Sequence, residues 1–259
     1  MARTLLAILF VSTAMAQSPR PAFTEFEVAA VKPAEANAVG RWIRMQTVHQ
    51  FVAHNSTLLY LIAPAYNVSP HAISGGPAWV DADRFEITAK APGEIRPTWD
   101  EQMAMLRKLL ADRFQLTFHR EPREMPAYVL TVAKGGSKLK ESAPAAVPPE
   151  GPPPLVFVLA PDVVRMNARG VTLAEVVSVM QRAALPHPVL DRTGLTGLYD
   201  FDLEFAPDET VFGGVLKATD TSRPGLFTAI QQQLGLRLES TKAAVDTIVI
   251  DRAERPSGN

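Results

Sequence analysis

The chain has 259 residues, 47% of them hydrophobic, with 26 basic and 27 acidic side chains and a formal net charge of −1. So even a balance gives no electrostatic case for binding nucleic acid or an anionic membrane surface. The absence of cysteine removes disulfides and thiolate metal sites, so the apolar core alone must hold the fold together.

The first residues read as a removable export signal. Arg3 supplies the positive start, Leu5 to Val11 the apolar stretch, and Ala14-Met15-Ala16 the small-x-small cleavage pattern. That stretch is far short of the roughly 20 apolar residues a spanning helix needs, and no later stretch comes closer. The expectation is export and cleavage after Ala16, leaving Gln17–Asn259 periplasmic or secreted with no membrane span. An uncleaved N-terminal anchor is the competing reading. With no cysteine near the cleavage point, lipoprotein anchoring is excluded.

A first α+β module is expected over 23–140. Phe26–Lys32 reads as a strand, and Asn55 or Ser56 as the cap of a helix over Leu58–Ala65. Ser74-Gly75-Gly76-Pro77-Ala78-Trp79 follows. Its glycine amides could form an anion-binding nest and Trp79 could stack on a flat ligand; the competing reading is a turn before a strand, with Trp79 in the core. Arg84–Ala89 reads as that strand. Thr98-Trp99-Asp100-Glu101 is a capping box ahead of the apolar stripe Met103, Leu106 and Leu110. A closing hairpin is expected, Gln115–His119 with Ala127–Val132.

The stretch 141–154 holds six prolines in 14 residues. It reads as an extended, semi-rigid linker. A second α+β module is expected over 155–256, opening on a strand at Leu155–Leu159. Thr172-Leu173-Ala174-Glu175 is its capping box, backed by Val176, Val177 and Met180. Tyr199–Phe205 alternates strictly, burying Tyr199, Phe201, Leu203 and Phe205 while Asp200, Asp202 and Glu204 face water. A helix is expected to open at Ser222 with Pro224 in its first turn, carrying Leu226, Phe227, Ile230 and Leu234. A hairpin of Leu236–Ser240 with Thr247–Asp251 closes the module.

The two modules repeat each other. Leu110–Phe118 lies 120 residues ahead of Ile230–Leu238, and that register runs on to Ala127–Leu130 and Thr247–Ile250. Ala53–Leu58 maps onto Ala168–Leu173 at an offset of 115. The fold class expected is therefore α+β, two tandem β-α-β-β-α-β-β repeats joined by a proline-rich linker.

Nothing catalytic is duplicated with the fold. Val189-Leu190-Asp191-Arg192-Thr193-Gly194-Leu195-Thr196-Gly197 resembles the phosphorylated aspartate loop of P-type ATPases, where Asp precedes Lys-Thr-Gly. Here Arg192 stands in the lysine's place and no nucleotide-binding region follows. The alternative is a tight turn into the Tyr199 strand. The five histidines fit no metal-binding spacing, and Asp81 and Asp83 lack the further acidic positions of a calcium loop. The row Asp200, Asp202 and Glu204 could attract a cation or simply be a solvated face. Asn55-Ser56-Thr57 and Asn67-Val68-Ser69 match glycosylation acceptors. No nucleophile–base–orienter set is readable, so no catalytic residue, metal or cofactor is expected.

Several separated segments carry a resemblance. They are Phe26–Pro33, Ile73–Trp79, Leu109–Leu116 with His119–Glu121, Asp191–Asp200, and Val249–Pro256. In this order they resemble an uncharacterised family of exported, soil-associated bacterial proteins, from about Phe23 to the C-terminus. The family's domain also occurs fused behind BlaR-type membrane metallopeptidase sensors, which implies an extracytoplasmic sensing or interaction role. The helix, strand, turn, strand order also resembles the short N-terminal domains of secretins and TonB-dependent receptors, which bind partner proteins. The expected function is a non-enzymatic, exported module binding an envelope or secreted protein. The candidate contact residues are Gly75, Gly76, Trp79, Asp191, Arg192, Thr193 and Gly194, or an exposed strand edge. A small-ligand receptor with its ligand between the halves is the alternative, and a hydrolase with an unrecognised site the remote one.

Overall fold

The computed structural model describes residues 22–142, 154–214, 216 and 222–257. The expected export signal at 1–16 and residues 143–153 of the proline-rich stretch lie outside them.

The chain forms β1 (Val28–Pro33), β2 (Trp42–Met45), β3 (Gln50–Thr57), helix α1 (Leu58–Ala65), a 3-10 turn at Pro70–Ala72 and β4 (Ile73–Gly75). One helical turn, α2 (Trp79–Ala82), then leads to β5 (Arg84–Lys90) and α3 (Trp99–Phe114). An antiparallel sheet of order β1-β5-β3-β2 results. Strict alternation in β5 buries Phe85, Ile87 and Ala89 beneath α1 and α3. The capping box at Thr98 forms as expected and starts α3. The cap of α1 is Thr57, whose hydroxyl accepts from the Tyr60 N–H, and neither Asn55 nor Ser56. Asn55 instead takes a left-handed φ of 49° where β3 slips register between Ala53 and Ser56.

Next come β6 (Thr117–Val132), β7 (Lys140–Glu141), β8 (Leu155–Ala160), β9 (Val163–Val171) and α4 (Leu173–Val179), which runs on into a π turn at Met180–Ala184. After β10 (Val189–Asp191) and β11 (Tyr199–Phe205), α5 (Leu226–Ala229) continues as a π turn at Ile230–Leu234 and hands over to β12 (Leu236–Arg252). A second antiparallel sheet has the order β7-β11-β9-β8. The capping box at Thr172 starts α4. The last helix begins after its cap Gly225 and does not open at Ser222. The Pro224 carbonyl is drawn into the sheet, accepting from the Ala206 N–H at 2.9 Å.

The two expected closing hairpins do not form. Each stretch is one continuous strand, and β6 pairs antiparallel with β12, from Val132 opposite Leu236 to Thr117 opposite Arg252. Pro122 and Pro126 sit where the first hairpin was expected to turn, yet they fit the straight strand. The Tyr128 N–H points away from β12 and donates to Pro188 O at 2.8 Å. Residues of the same parity, both prolines among them, would aim their N–H the same way. No ladder bond is lost, and the outer edge gains two residues that cannot donate.

This ribbon is the middle of a third sheet, of order β10-β6-β12-β4. Strand β4 runs parallel to the end of β12, with Ile73 opposite Ile248, and β10 runs parallel to β6, with Val189 opposite Tyr128. The consequence for packing is that each long strand starts in one core and ends in the other. Ile248 and Ile250, near the C-terminus, are buried in the first core with Leu61, Ile87, Leu106 and Phe114. Tyr128 and Leu130 are buried in the second core with Met166, Val176, Leu203 and Phe205. At mid-ribbon, Ala72, Ala127 and Val245 form a small cluster between the two.

Candidate interaction surface

The 73–79 loop is held by the fold. Gly75 and Gly76 have φ of 79° and 72°. A Cβ on Gly75 would lie 2.7 Å from Ile250 O, and one on Gly76 would lie 3.0 Å from Ile250 Cγ2. Glycine is required there because β12 runs against the loop. Trp79 is 8% exposed. Its ring stacks on Phe114 at 6.5 Å, meets Phe85 edge-on, and has the Arg255 guanidinium 5.3 Å above it. The core reading of Trp79 replaces the ligand-stacking one.

The chain's end clasps the same region. The Glu254 N–H donates to Phe114 O at 2.7 Å, Arg255 Nε to Asp83 Oδ2 at 2.7 Å, and His119 Nδ1 lies 2.8 Å from Asp251 Oδ1. Three of the separated motifs, Ile73–Trp79, Leu109–Leu116 with His119–Glu121, and Val249–Pro256, thus meet at one place.

At 191–197 the turn reading holds. Asp191 Oδ1 accepts from the Thr193 N–H at 2.9 Å and from its hydroxyl at 2.7 Å, and Thr193 Oγ1 accepts from the Leu195 N–H. Gly194 takes φ of 70° in open space. The Arg192 N–H donates to Leu130 O, which fastens the loop to β6. Gly194–Tyr199 line a shallow groove of about 490 Å³ with Glu141 and Ser142. The loop therefore lies at the flank of the third sheet opposite the 73–79 loop, since β10 and β4 are its two edge strands.

The other candidate groups separate. Asp202 bonds Asn167 and Arg169, which together hold its carboxyl below the usual range, Asn167 contributing more. Asp200 accepts from the Gly170 N–H and Glu204 pairs with Arg165, so the acidic row is occupied by its own sheet. Among the described residues no three of His, Asp and Glu converge in a way that could hold a metal ion. His71 and His187 do come within electrostatic reach. Burial first, and then His187, hold the His71 imidazole below its ordinary value, against an opposing pull from Asp81. Burial also pushes the Arg182 guanidinium down to about 10, while it donates to Ser178 O and lies 5.4 Å over the Trp99 ring.

The best-prepared surface lies on the edge strand β2, at Arg41-Trp42-Ile43-Arg44. The Trp42 ring lies on the outer face of the sheet, with two partners against it. His54 stacks on it at 5.3 Å and 23°, and the Arg44 guanidinium sits 4.2 Å from the ring centre. Alongside, the Arg41 guanidinium lies 3.3 Å over the Tyr60 ring. Both arginines are exposed, and neither makes a salt bridge among the described residues.

Beneath them runs a polar frame. His54 reaches Glu86 through Nδ1 at 3.1 Å and Val39 O through Nε2 at 3.2 Å. The Asn55 N–H donates to Glu86 Oε1, and its amide donates to Ala38 O and Gly40 O at 3.1 and 2.7 Å. The register slip in β3 thus clamps the loop that delivers Arg41 and Trp42. Hydrophobic periodicity does not single these residues out. The available signal is local, an aromatic between two arginines, and its meaning depends on His54 and Tyr60 from other elements.

Among known proteins, the sequence profile of a family described as Protein of unknown function (DUF3738) matches residues 59–253. No curated protein and no solved structure matches the chain. Among the described residues no helix is long and apolar enough to cross a membrane.

Proposed function

The chain belongs to this family of proteins of unknown function, and from that premise we propose that it is an exported, non-enzymatic binding module that recognises a partner protein through the β2 edge. The observation carrying this reading is the pair of exposed arginines placed over aromatic rings, neither in a salt bridge among the described residues. Arginine and tryptophan are the residues on which interface energy concentrates, and stacking fixes their rotamers before a partner arrives, lowering the entropy lost on binding. The partner surface this fits presents carboxylates to Arg41 and Arg44 and an apolar group to Trp42. Backbone contributes little, because β2 is four residues long and the Met45 carbonyl already accepts from Arg96.

The same reading takes the chain as two copies of one α+β unit, 23–140 and 155–256, whose closing strands have been exchanged. In support, β4 rests on the end of β12 as β10 rests on the end of β6. Offsets of 116 (Ile73 to Val189) and 120 (Tyr128 to Ile248) carry one pairing onto the other.

The test places a photo-cross-linking amino acid at Gln46, exposed just after β2, or, as control, at Lys108 on α3, in protein expressed in its native host. A single partner captured from position 46, and lost with Trp42→Ala, is the expected result. Equal capture from both positions, or capture that survives Trp42→Ala, would overturn the assignment.

A further inference from the structure

The outer edge of β8 is apolar and regular, and among the described residues no strand pairs with it. Leu155-Val156-Phe157-Val158-Leu159-Ala160 carries no charge and no proline, pairs with β9 without a register slip, and is the last strand of its sheet. Soluble proteins ordinarily blunt such an edge with a lysine, a proline or a bulge. Val158 and Leu159 are 48% and 50% exposed. Leu155, Phe157 and Leu159 lie opposite the buried Ala168, Met166 and Val164 of β9, so the row that faces the core runs out to the edge without being fully covered.

The strand is also its own mirror in sequence. Leu155-Val156-Phe157-Val158-Leu159 reads identically in both directions. The backbone agrees with that centre. The Arg169 N–H donates to Pro154 O at 2.8 Å, so residues of even number bond inward to β9. Alternation then leaves the N–H and C=O of Leu155, Phe157 and Leu159 pointing outward. We propose that β8 pairs antiparallel with β8 of a second copy of this chain, about a two-fold axis at Phe157.

In that register Leu155 faces the partner's Leu159 and Phe157 faces its own counterpart. All three pairs are of the hydrogen-bonded type, giving roughly six new ladder bonds. The apolar rows of the two copies become continuous on one face, and Val156 meets Val158 on the other. A symmetric, self-complementary patch of this kind closes as a dimer and does not propagate. It joins two four-stranded sheets into one of eight. No other edge strand in the described residues offers this match. Lys32 lies on β1, Arg44 on β2, Lys140 on β7 and Asp191 on β10, and β4 is the short, non-palindromic Ile73–Gly75.

Two measurements test this, on the purified chain with and without residues 1–16. Sedimentation equilibrium should give twice the chain mass. Leu159→Lys, placed where the monomer leaves the side chain half in water, should weaken association at least tenfold, about the factor a 1.4 kcal/mol change produces. Its melting temperature, measured at monomeric dilution, should stay near that of the parent.

The second measurement is independent of that variant's folding. Because the chain lacks cysteine, Val156→Cys and Val158→Cys each add a single thiol. An equimolar mixture should form disulfide-linked dimers faster than either variant alone, since position 156 of one copy faces 158 of the other. A monomeric parent at about 100 μM, a dimer untouched by Leu159→Lys, or equal linking by the single variants and the mixture would each overturn the proposal.

Discussion

Ile250→Ala tests the pairing of β12 with β6, and the place of its end in the first core, directly. The side chain is 3% exposed and belongs to the first core, although it lies nine residues from the end of the chain. Its Cγ2 and Val80 Cγ2 flank Gly76, at 3.0 and 3.3 Å from where a Cβ would stand. Truncation to alanine removes three carbons, roughly 2.4 kcal/mol of transfer free energy at ~0.8 kcal/mol each, and the residual cavity brings the cost to about 3 kcal/mol. For a chain of this size that is a fall in melting temperature of about 6–12 °C. The decisive quantity is where the cost is shared. In urea melts of single and double variants, Ile250→Ala and Val80→Ala should be non-additive by about 0.5 kcal/mol or more, as expected of side chains of one core that flank the same glycine. Ile250→Ala and Leu203→Ala, from different cores, should add within about 0.5 kcal/mol. Coupling to Leu203 with none to Val80 would mean that the tail folds back on the second core as a hairpin, and would refute that pairing.

Gly75→Ala should cost more than Gly194→Ala. Both need positive φ, worth about 1–2 kcal/mol, but only at Gly75 does the new Cβ also strike backbone, at Ile250 O; equal urea midpoints for the two variants would contradict this. Trp79→Ala should destabilise by about 3–5 kcal/mol as a core truncation, whereas Trp42→Ala should leave the melting temperature within a few degrees and abolish partner capture. Because His71 is held below its ordinary value of 6.5 in the fold, the unfolded chain binds the additional proton. Its contribution is fully present above the unfolded value of about 6.5 and is lost as pH falls from there through the lower value of the folded state. Melting temperature should therefore drop between pH 7.5 and 5.5, and less steeply in His71→Gln, with an unchanged slope in the variant counting against the assignment.

Much of the secondary structure was legible in the sequence, for local reasons. The capping boxes at Thr98 and Thr172 mark helix starts because an N-cap hydroxyl and a carboxylate three residues on satisfy each other's backbone donors. The alternation in Tyr199–Phe205 fixes which side chains are buried because strand periodicity is two. The mixed α+β class follows from such elements. So does the turn at Asp191–Thr193, where an aspartate closes on a residue two positions ahead.

What the sequence alone could not decide is which strand pairs with which. Alternation at 115–132 and 236–252 says that one face of each is buried, and a hairpin within each stretch satisfies that as well as a pairing 120 residues away. Pro122 and Pro126 do not prevent the long pairing, because the Tyr128 N–H shows that residues of their parity point off the ribbon. The Trp42 surface has the same character. Arg41, Trp42 and Arg44 are adjacent in sequence, but Tyr60 and His54, which lie against Arg41 and Trp42, arrive from α1 and β3. Local propensities set the elements and their buried faces; the pairing of β6 with β12, and with it the sharing of the two cores, is a long-range choice, because alternation fixes which face of a strand is buried but not which strand lies beside it.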